Sequence, residues 1–172
     1  MTTTSQHHLD RFFSGSIEHK LMTMETLYAQ SGKQLLADDA VTSSLTLLLE
    51  YEETLSGQMR DMAMAKLCRA CASREGGGCC SSYMEANSDV ILLLINRLHG
   101  ATVSRQHNRM EECCFLGSQG CVLPIKPMFC LNYNCSHIQE QATSIARDKL
   151  EQLTGRILTE QTRLETILLQ KV

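Results

Sequence analysis

The sequence predicts a mainly α protein, a helical bundle with a central cysteine-rich, loop-containing segment. Two observations carry this. Both ends of the chain repeat apolar residues at alternating steps of three and four, the spacing of a helix face. All nine cysteines of the 172 residues lie between Cys68 and Cys135, together with both prolines and the Gly76 to Gly78 run. One domain of residues 1–172 is expected, with N-terminal helices over 1–67, the cysteine segment over 68–135 and a long C-terminal helix over 136–172.

The first helix is expected over roughly Ser16 to Leu36. In the second, Val41, Leu45, Leu48, Glu52, Leu55, Met59, Met62 and Lys66 form one stripe in which six of eight positions are apolar. Asp38 and Asp39 stand where an N-cap and favourable first-turn charge are wanted, so a single helix from about residue 39 to about residue 70 is predicted. Glu50, Glu52 and Glu53 read as a solvated face, and Met59, Met62 and Met64 as core filling.

Within the cysteine segment, Ser88 is expected to cap a short buried helix rich in Leu and Ile, which Gly100 ends. Gly76 to Gly78 form a flexible turn before Cys79. Pro124 and Pro127 bracket an extended stretch before Cys130. At the far end, Ser136 is a candidate cap for a helix running almost to the C-terminus, with a stripe of Ala146, Leu150, Leu153, Ile157, Glu160, Leu164 and Ile167. A helix of about 30 residues spans about 45 Å. Packing of this stripe against the Val41 helix is preferred to a dimeric coiled coil, which leaves a homo-oligomer or a partner protein held through the long helices as the alternative.

Composition excludes several classes. The net charge is -3, from 16 Lys and Arg against 19 Asp and Glu, and no basic stripe suggests nucleic acid. Residues 1–13 are polar, include His7 and His8 and lack the features of a secretory signal, so a cytoplasmic protein is expected. The longest apolar run, Val90 to Ile95, falls far short of the roughly 20 residues that cross a bilayer.

The cysteines read as CxxC at Cys68 and Cys71, the vicinal pair Cys79 and Cys80, then Cys113, Cys114, Cys121, Cys130 and Cys135. An odd count without an export signal argues against a disulfide framework. Side chains three apart converge after one turn, so Cys68 and Cys71 suit one ion, and soft thiolates suit zinc, cuprous copper or iron-sulfur clusters. Candidate metal ligands are Cys68, Cys71, Cys79, Cys80, Cys114, Cys121, Cys130 and Cys135. Vicinal side chains diverge, which sets Cys113 apart from Cys114. His137 is an alternative zinc ligand, although a surface or capping role is the simpler reading; His99 suits a helix C-terminus.

The CxxC and CC pair, followed by Cys114-Phe115-Leu116, Gly120-Cys121 and Lys126-Pro127-Met128-Phe129-Cys130 ending at Cys135, resembles the bacterial YkgJ-like cysteine-cluster family. That family is described as a zinc- or iron-chelating domain. The likeness covers about residues 68–135; Asp89 with Arg97 and Leu98 echoes a helix that the family places between its two halves. This chain has Lys126 where the family usually shows Arg, and a longer, Gly-rich gap between CxxC and CC. The resemblance implies a metal or cluster site, and some relatives carry the domain within flagellin lysine N-methylases.

The leading expectation is therefore a metal-binding protein holding an iron-sulfur cluster or zinc, in redox work or as an accessory to a partner enzyme. A helical interaction module with a purely structural zinc, and an enzyme related to protein lysine methylation, are the alternatives. No Glu precedes a His by three residues, as a carboxylate di-iron bundle needs, and neither GxxxxGK nor GxGxxG occurs.

Overall fold

A computed structural model describes residues 10–72, 80–118, 120–132 and 135–172. The protein is mainly helical. After a helical turn at residues 10–13, α1 spans Ile17–Leu36, and Ser16 caps it by accepting from His19 N. Asp38 caps α2 (Asp39–Asp61), accepting from Ala40 N and Val41 N at 3.1 and 3.2 Å. Both starts follow the sequence reading, because a short oxygen-bearing side chain there satisfies amides that the first turn leaves without partners.

The expected single helix over 39–70 is two. Between α2 and α3 (Met64–Ala72), Ala63 adopts a left-handed backbone with φ 51°. Amides at 62 and 63 close the last turn onto Gln58 and Arg60 carbonyls. An alanine in that conformation is costly, and neither Gly nor Pro marks the break, so the apolar period runs on through it. The bend redirects α3 onto the cysteine segment.

The C-terminal helix is likewise two. Cys135, not Ser136, stands at the N-cap of α7 (Ser136–Gln141); Ala142 is extended. Thr143 then caps α8 (Ser144–Leu169), its hydroxyl accepting from Ala146 N at 3.2 Å. A Thr at this position offers the backbone a fresh start, and Ile138, 3% exposed, gains burial from the change of direction.

Between these ends lie α4 (Ser82–Glu85), α5 (Val90–Leu98), the hairpin β1 (Leu116–Gly117) and β2 (Gly120–Cys121), and α6 (Met128–Asn132). Asp89, not Ser88, caps α5, accepting from Leu92 N at 2.8 Å. Gly100 follows the helix with φ 92°, a conformation that favours glycine. Cys130 lies on α6 instead of ending an extended stretch, because Pro127 opens a helical turn whose first carbonyl accepts from Cys130 N and Leu131 N.

Two helix pairs build the core. The long α8 packs along α2 in antiparallel sense: Asp38 pairs with Lys171, Ser44 donates to Glu160, and Gln58 Nε2 donates to Ala146 O at 3.2 Å. The stripe from Ala146 to Ile167 is thus spent largely on α2. Glu160, the polar residue of that stripe, is buried with Ser44 and also binds Arg163 at 2.9 Å. The second pair is α1 with α5, joined where Arg97 meets Glu25 at 3.3 Å and stacks over Tyr28 at 4.1 Å. Val90 to Asn96 are all buried, as the apolar density of that run requires.

Candidate metal centre

The cysteine positions are set by three short pieces of backbone. Ser81 and Glu112 form an antiparallel bridge, flanked by Ser82 N to Glu111 O at 3.1 Å and Cys113 N to Cys80 O at 2.9 Å. Cys80 therefore stands opposite Cys113, and in an antiparallel pair opposed side chains lie on the same face. In the hairpin, Leu116 pairs with Cys121 and Gly117 with Gly120. This folds Cys121 back beside Cys113.

The third piece is the contact of α3 with β2. Gly120 has φ 107°, and a Cβ built on it would stand 3.3 Å from Ala65 Cβ. Glycine is needed twice over, for its backbone and for this approach. Cys68 is one helical turn beyond Ala65, on the side of α3 that faces the hairpin. The helix α7, which Cys135 starts, also packs on α3.

The vicinal pair is divided. Cys114 is 1% exposed; its N–H donates to Glu85 Oε2 at 2.7 Å, and its thiol is hydrogen-bonded to the same carboxylate. Burial and that bond hold Cys114 protonated, well above the usual thiol range. Cys113 is pushed up to about 12, first by burial, then by the charges that Cys121 and Glu85 would bring beside it. Burial also raises Cys121, against the pull of the Lys126 ammonium.

Of the expected ligands, the structure sets Cys80 across from Cys113, folds Cys121 back in the adjoining hairpin and lays the helix that bears Cys68 against that hairpin. Cys114 is turned into the core, and Cys130 lies on α6, which packs against α8. Cys79, the Cys71 and His137 side chains, Gly76 to Gly78, His7 and His8 lie outside the described residues. Among the described residues, no three His, Cys, Asp or Glu side chains converge as a metal site. Thiols are soft ligands, so a zinc ion or cluster held here would take the place of the protons that burial keeps on Cys113 and Cys121.

Glu85 and Asn96 are the residues that sequence reasoning missed. Glu85 sits on a four-residue helix with no periodic signal. Asn96 was visible as the one amide within an otherwise apolar run. A cavity of about 350 Å³ adjoins the region, lined by Met62, Ala63, Leu67, Ile138 and Ala142 among others. No described helix is long and apolar enough to cross a membrane. Compared with protein-family models, curated proteins and solved structures, the chain matches none.

Proposed function

We propose that this protein binds zinc or an iron-sulfur cluster through its cysteine segment, as the resemblance to the YkgJ-like family implies, and serves a cytoplasmic redox or accessory role. One observation carries the reading. Backbone pairing sets Cys80 opposite Cys113 and folds Cys121 back beside them, while the close approach of Ala65 to Gly120 lays the Cys68 helix against the same hairpin. Thiols more than fifty residues apart in sequence, Cys68 and Cys121, are thus held on neighbouring elements. Neighbouring elements are the first requirement of such a centre, whose binding would draw the thiols together.

The proposed ligands are drawn from Cys68, Cys71, Cys79, Cys80, Cys121, Cys130 and Cys135, with Cys113 supplying the thiolate from its vicinal pair. Cys114 is already committed to Glu85. An oligomerisation module built on the C-terminal helix has less support, because α8 spends its apolar stripe on α2 of the same chain.

Anaerobic purification followed by elemental analysis, acid-labile sulfide assay and an absorption spectrum tests the proposal. Brown protein with stoichiometric iron and sulfide identifies a cluster. Colourless protein with stoichiometric zinc identifies a zinc site. Protein that holds neither, and takes up neither after reconstitution, overturns the proposal.

A further inference from the structure

The short antiparallel pairing before α4 sets two cysteines opposite each other. Ser81 faces Glu112, and the flanking bonds, Cys113 N to Cys80 O at 2.9 Å and Ser82 N to Glu111 O at 3.1 Å, fix the register on both sides. Cys80 is therefore directly across from Cys113, and alternation along each strand puts both side chains on the face opposite that of Ser81 and Glu112. A further bond steadies the pairing: Cys114 N–H donates to Glu85 Oε2 at 2.7 Å, which ties the last residue of α4 to the residue after Cys113. Two segments about thirty residues apart in sequence are thus aligned before any covalent link exists.

Opposed residues of this kind stand about 5.5 Å apart at Cα, inside the roughly 4.4–6.8 Å that a disulfide spans. Their Cβ atoms lie about 4.5–5.5 Å apart, against about 3.5–4.5 Å in a disulfide, so the strands must draw slightly closer as a bond forms. That adjustment strains the product and makes it easy to reduce. Among the described residues, no other two cysteines are set opposite each other by backbone pairing. Cys121 is opposite Leu116, Cys114 is buried in the core, and Cys130 lies on α6.

We propose that Cys80 and Cys113 form a redox pair, which a small-molecule disulfide oxidises to a reversible cross-link. Cys113 packs on the core, which leaves the first attack to Cys80. The Cys80 sulfur gives up its proton and attacks one sulfur of the oxidant, whose S–S bond breaks and releases one half as a thiol. Cys113 then gives up its proton and attacks the Cys80 sulfur, and the second half leaves as a thiol. Two cysteine thiols are oxidised, one disulfide is reduced to two thiols, and the two protons pass to the products. The link closes the stretch 80–113, which includes α4 and α5, and locks the entry to α4 onto residues 111–113. One consequence rests on the proposed metal binding: a filled centre covers the same sulfurs, so loss of the metal precedes oxidation.

Oxidised glutathione, set against reduced glutathione in graded ratios, is the probe, applied to the full chain after treatment with a chelator. Thiols are counted, and links are mapped by fragment mass spectrometry. The first link should join Cys80 to Cys113, with loss of two thiols per chain and their full return in excess reduced glutathione. A first link elsewhere, such as Cys80 to Cys121, overturns the proposal, and so does glutathione held on Cys80 as a lasting mixed disulfide. Cys113→Ser should trap that mixed disulfide, whereas Cys114→Ser should form the link as the unaltered chain does. A Cys113→Ser chain that still loses two thiols at the same glutathione ratio counts against the pair. Mapping the unaltered chain needs no substitution, so it decides the matter even where a variant folds poorly. A chain that binds no metal leaves each of these outcomes unchanged, so this proposal and the metal site fail separately.

Discussion

Asn96 and Ile125 exchange two hydrogen bonds across the core: Asn96 Nδ2 donates to Ile125 O at 2.8 Å, and Asn96 Oδ1 accepts from Ile125 N at 2.9 Å. A second Nδ2 bond goes to Leu92 O at 2.9 Å. Asn96 is fully buried, so its amide substitutes for a strand neighbour and fixes the loop between Cys121 and Cys130 onto α5. Asn96→Ala leaves the Ile125 amide and carbonyl buried without partners, and should cost about 2–4 kcal/mol in urea unfolding. A loss below about 0.5 kcal/mol would show that water serves the loop equally well.

Gly120→Ala tests the approach of α3 to the hairpin. The new Cβ meets Ala65 Cβ at 3.3 Å on a backbone at φ 107°, a region that side chains rarely adopt. The expected loss is about 1–3 kcal/mol and, under the proposed function, a parallel fall in metal bound per chain. Unchanged metal content in a destabilised variant would separate the hairpin contact from the proposed centre.

The fate of the two long helices shows where the sequence was legible. Asp38 and the Val41 stripe announced α2, and the helix start follows, because capping and periodicity are local properties. The break at Ala63 carries no local mark: alanine is the strongest helix former, and only the gain of laying α3 on Gly120 turns it left-handed. The start of α8 was half visible, since Thr143 could cap, yet Ser136 also could, and tertiary packing of Ile138 made the choice. The site was legible as a clustering of cysteines. It was not legible as a pairing, because opposing Cys80 to Cys113 and tying Cys114 to Glu85 depend on segments about thirty residues apart.

Ala63→Gly should therefore stabilise the protein by about 0.5–1 kcal/mol, because glycine adopts φ 51° without the steric cost that alanine bears. Ala63→Val, with a branched Cβ, should do the opposite. Equal midpoints for both in chemical denaturation would mean that the bend is lost in solution and the helix runs straight.

Cys113→Ser and Cys114→Ser separate the vicinal thiols. Under the proposed function, Cys113→Ser should reduce bound metal at least about tenfold in a competition assay, as loss of a ligand does. Cys114→Ser keeps a donor for Glu85 and should retain most of the metal, its cost falling on stability. The reverse order of effects would reassign the ligand to Cys114 and leave Cys113 as packing.

The pairing of Lys171 with Asp38 predicts how the two ends of the α2–α8 pair respond to acid. The Lys171 side chain bonds the Asp38 carboxylate and, with Val41 N–H, holds it below its ordinary value of 3.8. A carboxyl lowered on folding contributes stability above that ordinary value and loses it as pH falls through the lower folded value. Lys171→Met should remove this contribution, leave the N-cap bonds to Ala40 and Val41 in place, and shift acid unfolding to higher pH. Because the pair is exposed, the difference between variant and unaltered chain should shrink in high salt. An acid transition that is the same in both, at low salt, would show that the C-terminal residues do not hold Asp38 in solution.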